Sequence, residues 1–297
     1  MNGDRRILVA MAHPDDESFG LGGIIARYAA EGAEVYLICA TNGDVGTVDA
    51  EYMQGYSTIA ELRLAELQCA AEKLGFKEVI TFGYRDSGMP GTPDNHHPDS
   101  LFAADPAEVV DRIVTVIRKV RPHIVITFDP YGGYGHPDHI KMYETTMAAF
   151  HAAGDPAYRP ERLEDGLPAY QPLKLYCSTW SRWWLTILVS LLPLVGLNPR
   201  EYGRNKDIDL IEITRHSYPI HTRVRTTGYA HIAEEAADCH ASQRIPIPKR
   251  PSLDVFGLTR WIRGLLSPEE YTFMRAYPPV NGHHRVERDL FEGLTLE

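Results

Sequence analysis

A chain of 297 residues, 44% of them hydrophobic, is long enough to bury one large core. Its formal charge of -10 and the lack of any long Lys/Arg block exclude nucleic acid as the main partner, because phosphate binding depends on clustered cations. Cys39, Cys69, Cys177 and Cys239 stand far apart with no Cys-x-x-Cys. That spacing predicts neither a disulfide framework nor a thiolate zinc site and suits a reducing cytoplasm.

Arg6–Ala12 predicts the first strand, and the few residues before it leave no room for a removable secretory signal. Helix over Gly22–Glu31, strand over Glu34–Ala40, helix over Thr58–Leu74 and strand over Glu78–Phe82 follow, with Gly32 and Gly75 placed as helix stops. The Gly/Pro/Asp-rich stretch Gly83–Asp105 is too long for a plain connection and reads as a site-forming loop. Ala107–Val120 then predicts a helix and His123–Phe128 a strand. This alternation predicts an α/β fold with a mostly parallel sheet flanked by helices. Residues 1–170 would form its catalytic core, and residues 171–297 would complete the same domain on the substrate side. Past residue 170 the pattern weakens: Leu173–Thr179 and Asp209–Thr214 read as strands, Ala230–Ser242 and Pro268–Ala276 as helices. The apolar run Trp183–Leu197 is shorter than the roughly 20 residues a bilayer requires and contains Pro193 and Gly196. It reads as a core element, a subunit contact in a homo-oligomer, or an apolar lid that meets a greasy ligand or a membrane surface.

Two strands each end in a His/Asp cluster: Ala12-His13-Pro14-Asp15-Asp16-Glu17 behind the first, His136-Pro137-Asp138-His139 behind the fourth. A turn whose Asp caps a helix explains either cluster alone, but not both at strand ends of one sheet. An imidazole and several carboxylates are costly to bury without a cation. Catalytic zinc takes three ligands from His and Asp/Glu and leaves a position for water. His13, Asp16 and His139 supply such a set; iron or cobalt fits the same donors. Asp15 is left beside the metal as a general base, His136 can face the substrate, and Asp138 can orient an imidazole. A dinucleotide site at Gly20-Leu21-Gly22-Gly23 fails for want of a third glycine and because the acidic run would repel a pyrophosphate. No Gly-x-Ser-x-Gly elbow is present.

These motifs, with Arg63-Leu64-Ala65-Glu66-Leu67, resemble the zinc-dependent de-N-acetylases of the LmbE/PIG-L type. The resemblance covers about the first half of the chain. It implies a Rossmann-like fold, zinc on His13, Asp16 and His139, Asp15 as general base and His136 as electrophilic or acid partner. Gly132-Gly133-Tyr134-Gly135 and Asp289-Leu290-Phe291-Glu292-Gly293 are similar to the mycothiol-pathway branch. There Tyr134 would contact the reacting carbonyl and Asp86 the sugar. Independently of the resemblance, Arg63 and Arg85 read as further substrate contacts through their guanidinium forks, with a structural ion pair as the alternative, for Arg63 with Glu66 in helical register. The implied reaction is hydrolysis of an N-acyl, chiefly N-acetyl, group from a small glucosamine-containing conjugate. An amidase acting on a thiol conjugate of a pseudodisaccharide and a catalytically silent metal-binding protein are the alternatives. His240-Ala241-Ser242-Gln243 resembles a C-terminal motif of several relatives, although a helical His is more often structural.

Overall fold

Apolar runs that are buried on both faces form the centre of one sheet in the computed structural model, which describes residues 5–161, 166–180, 183–203, 205–244, 270–280 and 285–296. The strands are β1 (Arg6–Met11), β2 (Glu34–Thr41), β3 (Glu78–Tyr84), β4 (Ile124–Thr127), β5 (Lys174–Thr179), β6 (Thr222–Arg225) and β7 (Glu270–Tyr277). Their spatial order is β3-β2-β1-β4-β5-β7-β6. The first five are parallel, with Leu8 of β1 opposite Tyr36 of β2 and Val125 of β4, and β7 and β6 add antiparallel edges. The order reverses between β1 and β4, and ligands of open α/β sheets bind where such a reversal splays the connections apart.

The helices are α1 (Asp16–Ala30), α2 (Ile59–Leu74), α3 (Pro106–Val120), the four-residue turn α4 (Gly132–Gly135), α5 (Pro137–Gly154), α6 (Trp183–Leu191), α7 (Leu210–Arg215) and α8 (Ala230–Cys239). α1 packs beside α2 and α3 against α5, the pairing expected when right-handed crossovers cover both faces of a parallel sheet, and α8 packs on α1 and α2. Local chemistry fixes the ends. Thr58 and Glu61 form a capping box on α2, whose C-terminal Gly75 adopts a φ of 79°. In α1 a Cβ on Gly23 would lie 2.8 Å from the Tyr271 ring, so this glycine lets the helix sit against β7.

The sheet joins strands from both sides of residue 170. The helix predicted from Gly22 begins at Asp16, inside the first motif. Two expectations are overturned. Asp209–Thr214 is not a strand: Asp209 caps α7 by accepting from the amides of Ile211 and Glu212, and Leu210 and Ile213 form its buried side. Within Pro268–Ala276, whose first two residues lie outside the described ones, the chain is strand β7, paired with β5 and β6. The run 183–197 is helix α6 followed by a 3-10 turn at Leu192–Val195. Leu185 and Val189 pack on Leu210 and Ile213 beside Tyr131 and Tyr134, whereas Ile187, Leu188, Leu191 and Leu194 face outward. Among the described residues no helix is long and apolar enough to cross a membrane.

The cysteines also depart from expectation. Cys69 of α2 and Cys239 at the end of α8 form a disulfide across 170 residues of sequence, while Cys39 and Cys177 are buried thiols. A crosslink closing so long a loop removes conformations from the unfolded chain. Cys69→Ser is therefore expected to lower unfolding free energy by about 2–4 kcal/mol in non-reducing denaturant melts. Wild-type stability of that variant, or absence of the crosslinked peptide in a non-reduced digest, would refute the bridge.

Candidate active site

Past β1 the chain turns through His13-Pro14-Asp15 into α1, and past β4 a tight turn leads into α5. Asp129 fastens that second turn by accepting from the amides of Tyr131 and Gly133, both at 3.0 Å. Gly132 is required there, since a Cβ would lie 2.7 Å from the Cβ of His139. The two strand ends thereby bring His13 and His139 together, with the Nδ1 of His13 3.0 Å from the Nε2 of His139. The carboxylate of Asp16 lies beside both, 3.6 Å from the first nitrogen and 3.3 Å from the second.

The outer hydrogen bonds decide what these facing atoms are. His13 Nε2 donates to Asp138 Oδ2 at 3.1 Å, which leaves a lone pair on Nδ1. His139 Nδ1 donates to the carbonyl of Gly132 at 3.0 Å, which leaves a lone pair on Nε2, and its ring stacks on Phe128. With His13 neutral in that tautomer, two imidazole lone pairs and a carboxylate converge on one point. That donor set fits a divalent cation. Asp138 is fixed in turn by the amide and hydroxyl of Ser87. Burial alone would push His13 down, but Asp86, Asp138 and Asp16 hold its pKa well above the ordinary value, so the site is electrostatically set for positive charge. Burial opposes ionisation of Asp16 as well, yet the two imidazoles keep its carboxyl well below the usual range. Among the described residues, the groups whose donor atoms all lie within 4.8 Å of one another are His13, His136 and His139, and His13, Asp86, His136 and Asp138; Asp16 belongs to neither.

Asp15 stands next to this cluster with a φ of 146°, a backbone state costing about 1–3 kcal/mol outside glycine. Burial pushes its carboxyl up to about 6 against the pull of Arg63, whose Nη2 donates to Asp15 Oδ2 at 3.0 Å and to the carbonyl of Pro14. His136 caps α5, its Nδ1 accepting from the Asp138 amide at 3.2 Å, so the proton sits on Nε2. Burial, with His13 and His139 nearby, holds its pKa well below the ordinary value. His136 is thus a neutral donor. Tyr134 packs edge-on against His139, and burial keeps its phenol protonated.

A cavity of about 1050 Å³ opens above these groups. Its lining includes His13, Asp15, Arg63, Asp86, Tyr134 and His136, together with the apolar side chains of Phe19, Met89, Leu197 and Ile208. Asp86 is anchored by the amide of Gly88 at 2.8 Å, and although burial opposes it, His13 holds its carboxyl far below the usual range. Arg85 is elsewhere. It pairs with Asp44 at 2.9 Å and Asp94 at 2.6 Å, bracing the loop, and does not line the cavity. Ser87, Phe128 and the carbonyl of Gly132 escaped the sequence reading, because only the fold shows what they touch.

A model of the PIG-L family, described as GlcNAc-PI de-N-acetylase, matches residues 8–150. A 1D-myo-inositol 2-acetamido-2-deoxy-alpha-D-glucopyranoside deacetylase of Thermobifida fusca is 33% identical over 97% of this chain and 99% of its own length. The chain belongs to the PIG-L family. This PIG-L member is also 44% identical to the enzyme of the same name from Geodermatophilus obscurus, over 54% of this chain and 58% of that one. Its fold is shared with the N,N'-diacetylchitobiose deacetylase of Pyrococcus horikoshii at a TM-score of 0.60 and 20% identity, covering 91% of this chain and 83% of the other. The PIG-L chain is a de-N-acetylase, a hydrolase of N-acetyl amide bonds.

Proposed function

We propose that this de-N-acetylase removes acetate from an N-acetylglucosaminyl inositol or a closely similar small conjugate, using zinc held by His13, Asp16 and His139. The convergence of two imidazoles and one carboxylate behind a cavity that His13 and Asp15 line carries the reading. Its substrate is suggested by the activity of the Thermobifida fusca relative, which this chain matches over 99% of that protein's length. A zinc ion there supplies Lewis acidity toward water and the amide carbonyl. The protein's own groups do the rest. Asp15 takes a proton from the water that adds to the carbonyl carbon. The hydroxyl of Tyr134 and the Nε2–H of His136 meet the negative charge developing on the carbonyl oxygen. A neutral imidazole is a poor proton source, so the acid role suggested for His136 passes to Asp15. Its newly acquired proton goes to the sugar nitrogen as the C–N bond breaks. Asp138 orients His13. Asp86 accepts from sugar hydroxyls, and Arg63 faces the cavity while holding Asp15; Arg85 steadies the loop that carries Asp86.

Leu197, Tyr202 and Ile208 in the cavity lining suit the aglycone end of the ligand and give the end of the run 183–197 a place in binding. The test is to incubate zinc-loaded protein with 1D-myo-inositol 2-acetamido-2-deoxy-α-D-glucopyranoside and with N,N'-diacetylchitobiose, quantifying acetate and free amine. Equimolar acetate and amine, released faster from the inositol glycoside, is expected. Turnover of neither, or a preference for chitobiose, would sink this substrate assignment.

A further inference from the structure

The segment directly after α8 reaches Asp15 along two routes. His240 and Glu17 are both fully buried, and the Nε2 of His240 lies 2.7 Å from Oε1 of Glu17. The other oxygen of that carboxylate accepts from the backbone amide of Asp15 at 3.0 Å. Glu17 therefore ties down the residue whose backbone lies in the left-handed region at φ 146°. Along the second route Ser242 donates from both its amide (2.8 Å) and its hydroxyl (2.7 Å) to Glu66. Glu66 Oε2 sits 4.0 Å from Nε of Arg63, and Arg63 donates to the Asp15 side chain. One route grips the backbone of Asp15 and the other its carboxylate. The disulfide at Cys239 fastens this segment to α2, the helix that carries Arg63 and Glu66.

We infer that His240-Ala241-Ser242 is a positioning element that seats Asp15 for proton transfer, with His240 acting through Glu17 and Ser242 through Glu66 and Arg63. The inference rests on the reading of Asp15 as the proton acceptor. A bare structural role for His240 would ask only for a group of similar volume; a positioning role asks for an N–H at the Nε2 position. Gln can place a donor there, Asn places its own nearer Nδ1, and Leu offers none.

The experiment compares His240→Gln, His240→Asn, His240→Leu, Ser242→Ala and Asp15→Asn as zinc-loaded full-length proteins. It measures kcat and KM for acetate release from the inositol glycoside, metal content, and the Asp15 backbone in crystals of each folded His240 variant. With Leu and Asn, kcat is expected to fall about ten- to a hundredfold, the scale on which displacing a reacting group by about 1 Å costs rate, with KM and zinc content unchanged. Gln should restore most of kcat, and Asp15 should leave the left-handed region only in the other two. Ser242→Ala should cost several-fold in kcat. Wild-type kcat in Leu or Asn, equal loss in all three, an Asp15 that never moves, or failure of all three to fold would each overturn the inference. An active Asp15→Asn protein would instead overturn the reading of Asp15, so the two failures can be told apart.

Discussion

His139→Ala is expected to empty the metal site. The imidazole supplies one of three converging electron-pair donors, and its Nδ1–H and ring face are held by Gly132 and Phe128. Asp16 would lose the partner at 3.3 Å that favours its ionised form. Two ligands cannot complete the coordination of zinc, and binding would weaken by several orders of magnitude. Metal analysis after gel filtration should find about one zinc per wild-type chain and almost none in the variant, with acetate release lost in parallel. Full zinc content in His139→Ala would show that the ligands have been wrongly chosen. His136→Ala is the matched control, because its side chain faces the cavity with its Nδ1 already occupied by the Asp138 amide. That protein should keep its metal.

Asp15→Asn should do the opposite, retaining metal while losing turnover. Asn matches the shape of Asp, tolerates a left-handed backbone better than most residues, and can still accept from Arg63 through its amide oxygen. What it cannot do is take a proton from water. A lost general base typically costs 10²–10⁴ in rate, so kcat should fall by about that factor with KM little changed. The comparison is steady-state kinetics on protein of verified zinc content. A kcat within a few-fold of wild type would remove Asp15 from proton transfer.

The legibility of this chain follows from where its constraints act. β1, β2 and β4 lie inside a parallel sheet and so read as unbroken apolar runs, and α2 announces itself through Thr58, Glu61 and Gly75. Motif spacing pointed to His13, Asp16 and His139 because the ends of adjacent parallel strands lie on one rim. β7 was mistaken for a helix because Glu270, Met274, Arg275 and Ala276 favour helices, whereas pairing on both sides dictates a strand. α7 failed differently: the alternation in Leu210-Ile211-Glu212-Ile213 mimics a strand when the cap at Asp209 is overlooked. The disulfide spans 170 residues and the His240–Glu17 pair 223, distances at which no local pattern operates. Ser87 is ordinary in sequence and becomes meaningful only when β3 delivers it to Asp138.

The distance between Glu17 and His240 also bears on how the protein is made. Chains are synthesised from the amino terminus and begin to fold as they emerge. Asp15 and every donor proposed for the metal lie within the first 139 residues, but His240 is made long afterwards. A nascent chain can thus gather its ion-binding groups while Asp15 is still held only by Arg63 and Glu17. Metal capture and catalytic competence become separate events in the life of one polypeptide, the second waiting on the arrival of α8 and the sealing of Cys239 to Cys69.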